Sequence, residues 1–137
     1  MKWKTLHGKV KEIPTACYRV DWDGEHGSRF SKSVLEFLRP YWQNHVVLAE
    51  YPVAGGNMRF DFVNITRRIV IETDGIQHDQ YNAHFHRGSE HVYKDQIKRD
   101  LKKDDIARLN GFTMVRIKPS DLPLTKEWLE KTFDITL

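Results

Sequence analysis

Carboxylates sit in this chain where carboxylates are costly. Residues 58–78 read MRFDFVNITRRIVIETDGIQH: two short apolar segments carry Asp61 and then Glu72 with Asp74, and Gln77 and His78 follow directly. An acidic group set into an apolar strand loses hydration unless something binds it. A divalent cation that handles phosphate is such a partner, and oxygen ligands of this kind suit Mg²⁺, with Mn²⁺ able to substitute. Strand side chains alternate between faces, which places Glu72 and Asp74 together and has Phe60 and Phe62 pointing away from Asp61. If the two segments pair, Asp61 and Glu72 come close, and each raises the other's pKa unless a cation lies between them.

Such a site could hydrolyse a phosphodiester. The cation polarises a non-bridging oxygen, acidifies a bound water and steadies the leaving oxygen. Gln77, His78 or a lysine from the following helix would orient the water or offset developing charge. The plainer alternative has Asp61 facing solvent and Glu72 to Asp74 leading into a turn at Gly75, since exposed strand faces accept polar residues readily.

The elements that must hold these groups follow from periodicity. Residues 8–22 alternate loosely, predicting one or two edge strands around Pro14-Thr15. Ser31 or Ser33 is positioned to cap a helix with a stripe of Val34, Leu35, Phe37, Leu38 and Trp42, weakened near its end by Pro40. Residues 46–53 predict a strand and 54–57 a turn. MRFDFVN and RRIVIET predict a hairpin around Ile65-Thr66. Residues 75–88 lack a period and suggest a functional loop. Ser89 to Asn110 predicts a long helix with Val92, Ile97, Leu101, Ile106 and Leu109 inward, stopped by Gly111. TMVRIKP predicts a strand and LTKEWLEKTF a final helix. The implied architecture is α/β, a mixed β-sheet flanked by helices in a single domain. An extension over 1–27 precedes a catalytic core over 28–118, and 119–137 carries the C-terminal helix.

A length of 137 residues allows one core, and 39% hydrophobic with 30% charged residues is a globular balance. The formal net charge of +3 leans basic without demanding a nucleic-acid partner. Cys17 alone permits neither an intrachain disulfide nor a cysteine-based zinc site, so a reducing compartment is expected. The charged start lacks the apolar core of a signal peptide, and no apolar run is long enough to span a bilayer. A soluble cytoplasmic protein with no membrane partner is the expectation.

At these residues the chain resembles the PD-(D/E)XK nuclease superfamily, and within it the Vsr-like branch that includes EDxHD homing endonucleases and phage-borne relatives. The likeness rests on Glu36 in SKSVLEFL, RFDF around Asp61, IVIETDGIQHD over 69–79 and IKRDLKKDDIARLNGFTMVRI over 97–117. It implies a restriction-endonuclease-like fold, with Asp61 and Glu72 as metal ligands and Glu36 reaching the metal through water. Asp74, Gln77 and His78 would line the reaction side. The superfamily lysine, two residues after the acidic one, is Asp74 here, so its part passes to Gln77, His78 or Lys98, Lys102 or Lys103. The single cysteine departs from Vsr repair enzymes, which carry a cysteine-rich zinc site.

His78, His84, His86 and His91 crowd a short span without metalloprotease spacing, and HFHR at 84–87 is expected at the rim of a substrate groove. Lys98, Arg99, Lys102 and Lys103 cluster on the long helix; a solvated face is the ordinary explanation, but beside a metal they would meet phosphates. With Arg87 they form the expected DNA contacts, joined by the loops at 23–30 and 79–91. Trp42 and Trp128 are expected in the core, and Trp22 at DNA or a second subunit. The leading expectation is a Mg²⁺-dependent DNA endonuclease of free-standing homing type, encoded by a phage and working in the host cytoplasm. It would nick as a monomer or act as a homodimer. A structure-selective recombination or repair nuclease and a non-catalytic DNA-binding module are the alternatives.

Overall fold

The computed structural model describes residues 1–25, 27–54, 57–74 and 88–137, with 88–93 described by their backbone. Strands β1 (Lys2–Lys4) and β2 (Val10–Glu12) form an antiparallel hairpin. Helix α1 (Arg29–Trp42) follows, then β3 (Val47–Pro52), β4 (Arg59–Asn64) and β5 (Ile69–Thr73). Helix α2 (Gly88–Leu109), β6 (Thr113–Ile117) and α3 (Lys126–Phe133) complete the chain. The four-stranded sheet runs β3-β4-β5-β6, antiparallel at its first two pairings and parallel between β5 and β6. It is a mixed sheet flanked by helices, in one α/β domain.

Two local expectations shift. The N-terminal hairpin turns at Thr5–Lys9 rather than at Pro14-Thr15, because Gly8 at φ 80° closes the turn and Thr5 binds Lys9 through both backbone and side chain. Helix α1 starts earlier than a Ser31 or Ser33 cap implies. Ser28 is the cap, its hydroxyl accepting from the Ser31 amide. The helix runs through Pro40 to Trp42, whose burial together with Leu38 holds its last turn in place.

One sheet face packs Phe62, Ile71 and Val115 against α1 (Leu35, Leu38) and α3 (Leu129). The other packs Phe60, Val63 and Val70 against Ile106 and Ala107 of α2, with Trp3 and Phe112 alongside. Trp42 is fully buried as expected, Trp22 and Trp128 only partly so, and Trp22 packs against the α1 core.

Helix α2 departs most from its periodicity. Ile106 is buried, but Ile97, Leu101 and Leu109, expected inward, are 43%, 57% and 47% exposed. Asp100, Lys103 and Asp104 turn toward the sheet instead, since the strands beneath offer charged partners, Glu72 and Arg116. Ion pairing there overrides the apolar stripe. The side chain of Val92 lies outside the described residues.

The residues Asn110, Gly111 and Phe112 lock the hairpin to the domain. Asn110 accepts from the Lys4 amide at 2.8 Å and donates to the Lys4 carbonyl at 3.0 Å, copying a strand pairing with one side chain. Gly111 takes φ 80° to end the helix, and Phe112 stacks on Trp3 at 5.0 Å. Trp3 is wholly buried and donates to the Tyr51 hydroxyl. Trp3→Ala is expected to cost about 3–5 kcal/mol by urea unfolding, the range for emptying a large aromatic site; a loss below 1 kcal/mol would mean the hairpin is not part of the core.

Candidate active site

The register aligns four charged residues in one row across the sheet. Continuing the register of the flanking pairs brings Glu50 on β3 level with Asp61 on β4 and Asp61 level with Glu72 on β5, and Glu72 pairs with Arg116 on β6. The regular ladder gives out at this row: β3 and β4 pair on either side of Glu50 and Asp61, and β4–β5 pairing ends at Phe62 with Ile71. Glu50 adopts φ 50°, a left-handed conformation costly for a side chain with a Cβ. That residue flips the phase of β3, so Tyr51 packs with the α2 core although Ala49 packs on the other face. Phe60 and Phe62 likewise join opposite cores, so they do not point away from Asp61 together as strict alternation predicts.

Side chains replace the missing ladder bonds. Asp61 Oδ2 accepts from the Thr73 amide at 2.7 Å and from the Thr73 hydroxyl at 2.9 Å. The Asp61 amide donates to Glu72 Oε2 at 3.3 Å. The Thr73 hydroxyl spends its proton on Asp61, so Ser31 must donate across the 2.9 Å contact between their oxygens, with Ser28 donating to Ser31 in turn. Helix α1 therefore reaches the carboxylates through Ser31. Glu36, expected to reach the metal through water, is exposed and lines a shallow cleft with Trp22, Lys32 and Arg39.

Lys103 is the cation of this centre. Its Nζ lies 2.7 Å from Glu72 Oε1, with Glu72 buried and Lys103 nearly so. The contact lacks the direction of a hydrogen bond, leaving Oε1 without one. Burial pushes the Glu72 carboxyl up to about 8, helped by the charge of Asp61 and a hydrogen bond with it, while Lys103 pulls it back only in part. Partial desolvation and the Asp61 charge also raise the Glu50 pKa.

Asp74 is held elsewhere. Arg116 meets Asp104 at 2.7 Å, Asp74 at 3.4 Å and Asp100 at 3.8 Å. Burial opposes the Arg116 cation, but the bond to Asp104 and the three carboxylate charges outweigh it and raise its pKa. Asp100 thus partners Arg116. Lys98, Arg99 and Lys102 are exposed on α2. Gln77, His78, His84, His86 and Arg87, with the loop that holds them, lie outside the described residues, as does the side chain of His91.

The structure brings together Asp61, Glu72 and one of the three candidate lysines, and leaves Glu36 apart. Sequence reading passed over Glu50, although a carboxylate in the apolar run VVLAEYPV carries the same signal as Asp61. Among the described residues no group of three or more His, Cys, Asp or Glu is arranged to hold a metal ion. The donor pair nonetheless suits Mg²⁺, which commonly takes one or two carboxylates and keeps its waters.

No protein-family model matches the chain. It is similar to a protein named "Uncharacterized protein 033L" of Invertebrate iridescent virus 3, at 27% identity over 81 residues. That stretch is 59% of this chain, which spans only 41% of the viral protein's length. Among the described residues no helix is long and apolar enough to cross a membrane.

The raised Glu72 pKa fixes a sign. The folded carboxyl keeps its proton where the unfolded one has lost it, so the stability it allows is complete below about pH 4.5 and erodes as pH rises to about 8. In metal-free buffer, Glu72→Gln should therefore gain on the parent across that window, the gap in melting temperature widening by roughly several degrees and then levelling. A gap that does not change with pH contradicts the assignment.

Proposed function

We propose that this protein is a Mg²⁺-dependent endonuclease that hydrolyses phosphodiester bonds in DNA, in a restriction-endonuclease-like fold. The observation that carries this reading is the meeting of Asp61, Glu72 and Lys103 where β4 and β5 part. A buried acid with a raised pKa, set beside a half-buried one, gains most from a dication. Asp61 and Glu72 would hold it, and their deprotonation would accompany its binding. The ion supplies Lewis-acid polarisation of the phosphate and a more acidic water.

The chain's own groups do the rest. Thr73 and Ser31 fix the rotamer of Asp61, so the acid is aimed before substrate arrives. Lys103, released from Glu72 once that acid is otherwise neutralised, faces the cleft beside it and is the donor for charge developing on a phosphate oxygen. This lysine takes the part left open by Asp74. The viral origin of the similar protein suits a gene carried by a virus or mobile element.

A second reading has its own support. Lys103 already meets Glu72 at 2.7 Å without a metal, which suits a non-catalytic DNA-binding module whose acids are merely structural. Melting with Mn²⁺ separates the two, because a ligand bound only by the folded state raises its stability. A catalytic site predicts a Mn²⁺-dependent rise in the parent protein that Asp61→Asn loses.

Asp61→Asn and Glu72→Gln should each reduce Mg²⁺-dependent cleavage of plasmid DNA to background. Lys103→Met should lower kcat by about 10²–10³-fold, the usual loss on removing a charge-stabilising donor, with duplex binding changed far less. Gel assays of supercoiled, linear and branched substrates give the rates. Full activity in any of these variants would place the chemistry elsewhere.

A further inference from the structure

A cleft of about 540 Å³ opens beside Lys103, between the tip of the N-terminal hairpin and α2. Thr5, Leu6 and His7 form one wall, and Arg99 and Lys102 of α2 form the other. Asp100 also lines it, but its carboxylate lies toward Arg116 at 3.8 Å. Asn57 and Met58, at the start of β4, lie on the same cleft.

The distribution of charge singles out the hairpin. Residues 1–13 contain four lysines against one glutamate, whereas the remaining residues contain eighteen basic against eighteen acidic side chains. The whole formal excess of +3 therefore resides in one tenth of the chain. Lys2, Lys4, Lys9 and Lys11 are all exposed.

A basic N-terminal segment is ordinarily a loose tail, and this one is not. Trp3 is buried under Phe112, Asn110 binds the Lys4 backbone twice, and the terminal ammonium is held by Glu12 and the Ile13 carbonyl. Ordering this backbone costs conformational entropy that the fold has already met, so the segment that carries the lysines is in place before any ligand binds. A rigid hairpin carrying four exposed lysines, its tip across the cleft from Arg99 and Lys102, matches a polyanion with regularly spaced charges.

We infer that the N-terminal hairpin is a clamp for duplex DNA, gripping the phosphate backbone beside Lys103 and delivering it to the carboxylates. The inference rests on the nuclease reading for the direction of delivery, but the clamp is testable by binding alone. Each phosphate neutralised releases counterions, so the clamp sets part of the salt dependence of binding.

The test is fluorescence anisotropy of a short labelled duplex, without divalent metal, over a series of salt concentrations. The parent is compared with a variant carrying Lys2→Gln, Lys4→Gln, Lys9→Gln and Lys11→Gln, and with a control carrying Lys126→Gln and Lys131→Gln on α3. The hairpin variant should bind about tenfold or more weakly, and its plot of log affinity against log salt should be shallower by about 2–3. The control should stay within about twofold of the parent. Circular dichroism and melting establish that both variants are folded; the exposed lysines should leave the fold intact. Unchanged affinity and slope in the folded hairpin variant, an equal loss in the control, or no duplex binding by the parent at low salt would each overturn the clamp. Hairpin-dependent binding without cleavage in Mg²⁺ would sink the nuclease reading and leave the clamp standing. Cleavage with binding indifferent to the four lysines would do the reverse.

Discussion

The organisation of this protein turns on placing Glu72 and Asp61 together in a sheet largely shielded from water. Two acids at that separation cannot both be charged without a counterion. The structure meets the constraint in three ways at once. The Glu72 pKa is raised, Lys103 is drawn in from α2, and Asp61 Oδ2 accepts from the Thr73 amide and hydroxyl. Each device has a structural consequence. Lys103 can reach Glu72 only if α2 turns a charged side to the sheet, which leaves Ile97 and Leu101 in solvent. Asp61 can reach Thr73 only if the ladder between β4 and β5 stops short. The left-handed Glu50 then shifts the phase of β3 so that both cores still fill. The strained backbone of Glu50 thus lies in the same row as the pair of acids it accommodates.

Much of this was legible in the sequence, for definite reasons. Strands of β-branched and aromatic residues with short turns between them, and a long stretch free of Gly and Pro, mark the elements from β3 to β6 almost residue by residue. Asp61 and Glu72 stood out because apolar flanks make an acid conspicuous. Less legible was whatever depended on contacts between distant segments. Periodicity misplaces the buried side of α2 because it counts apolar residues, whereas the sheet beneath this helix offers Glu72 and Arg116. The hairpin turn was misplaced because Pro14-Thr15 is the stronger local signal. Only the distant partners Asn110 and Phe112 show why Lys4 and Trp3 must be strand residues. Glu36 carried no information in its spacing that could separate an inward acid from an exposed one, and Ser31 does the linking from that helix.

The same contacts explain why the cation of the centre comes from α2 and not from β5. Position 74 directly follows β5, and Asp74 there meets Arg116 of β6. A lysine at that position would bring an ammonium against a guanidinium already half-buried, repelling it where Asp74 attracts it. Arg116 in turn binds Asp100 and Asp104, one helical turn apart on α2. Those two bonds fix the rotation of α2 over the sheet. With Asp100 and Asp104 committed to Arg116, Lys103 lies adjacent on the inward side and is carried to Glu72. Asp74 is therefore not simply a missing lysine. It completes the arginine cluster that orients the helix, and the orientation of the helix is what supplies a lysine to the acids.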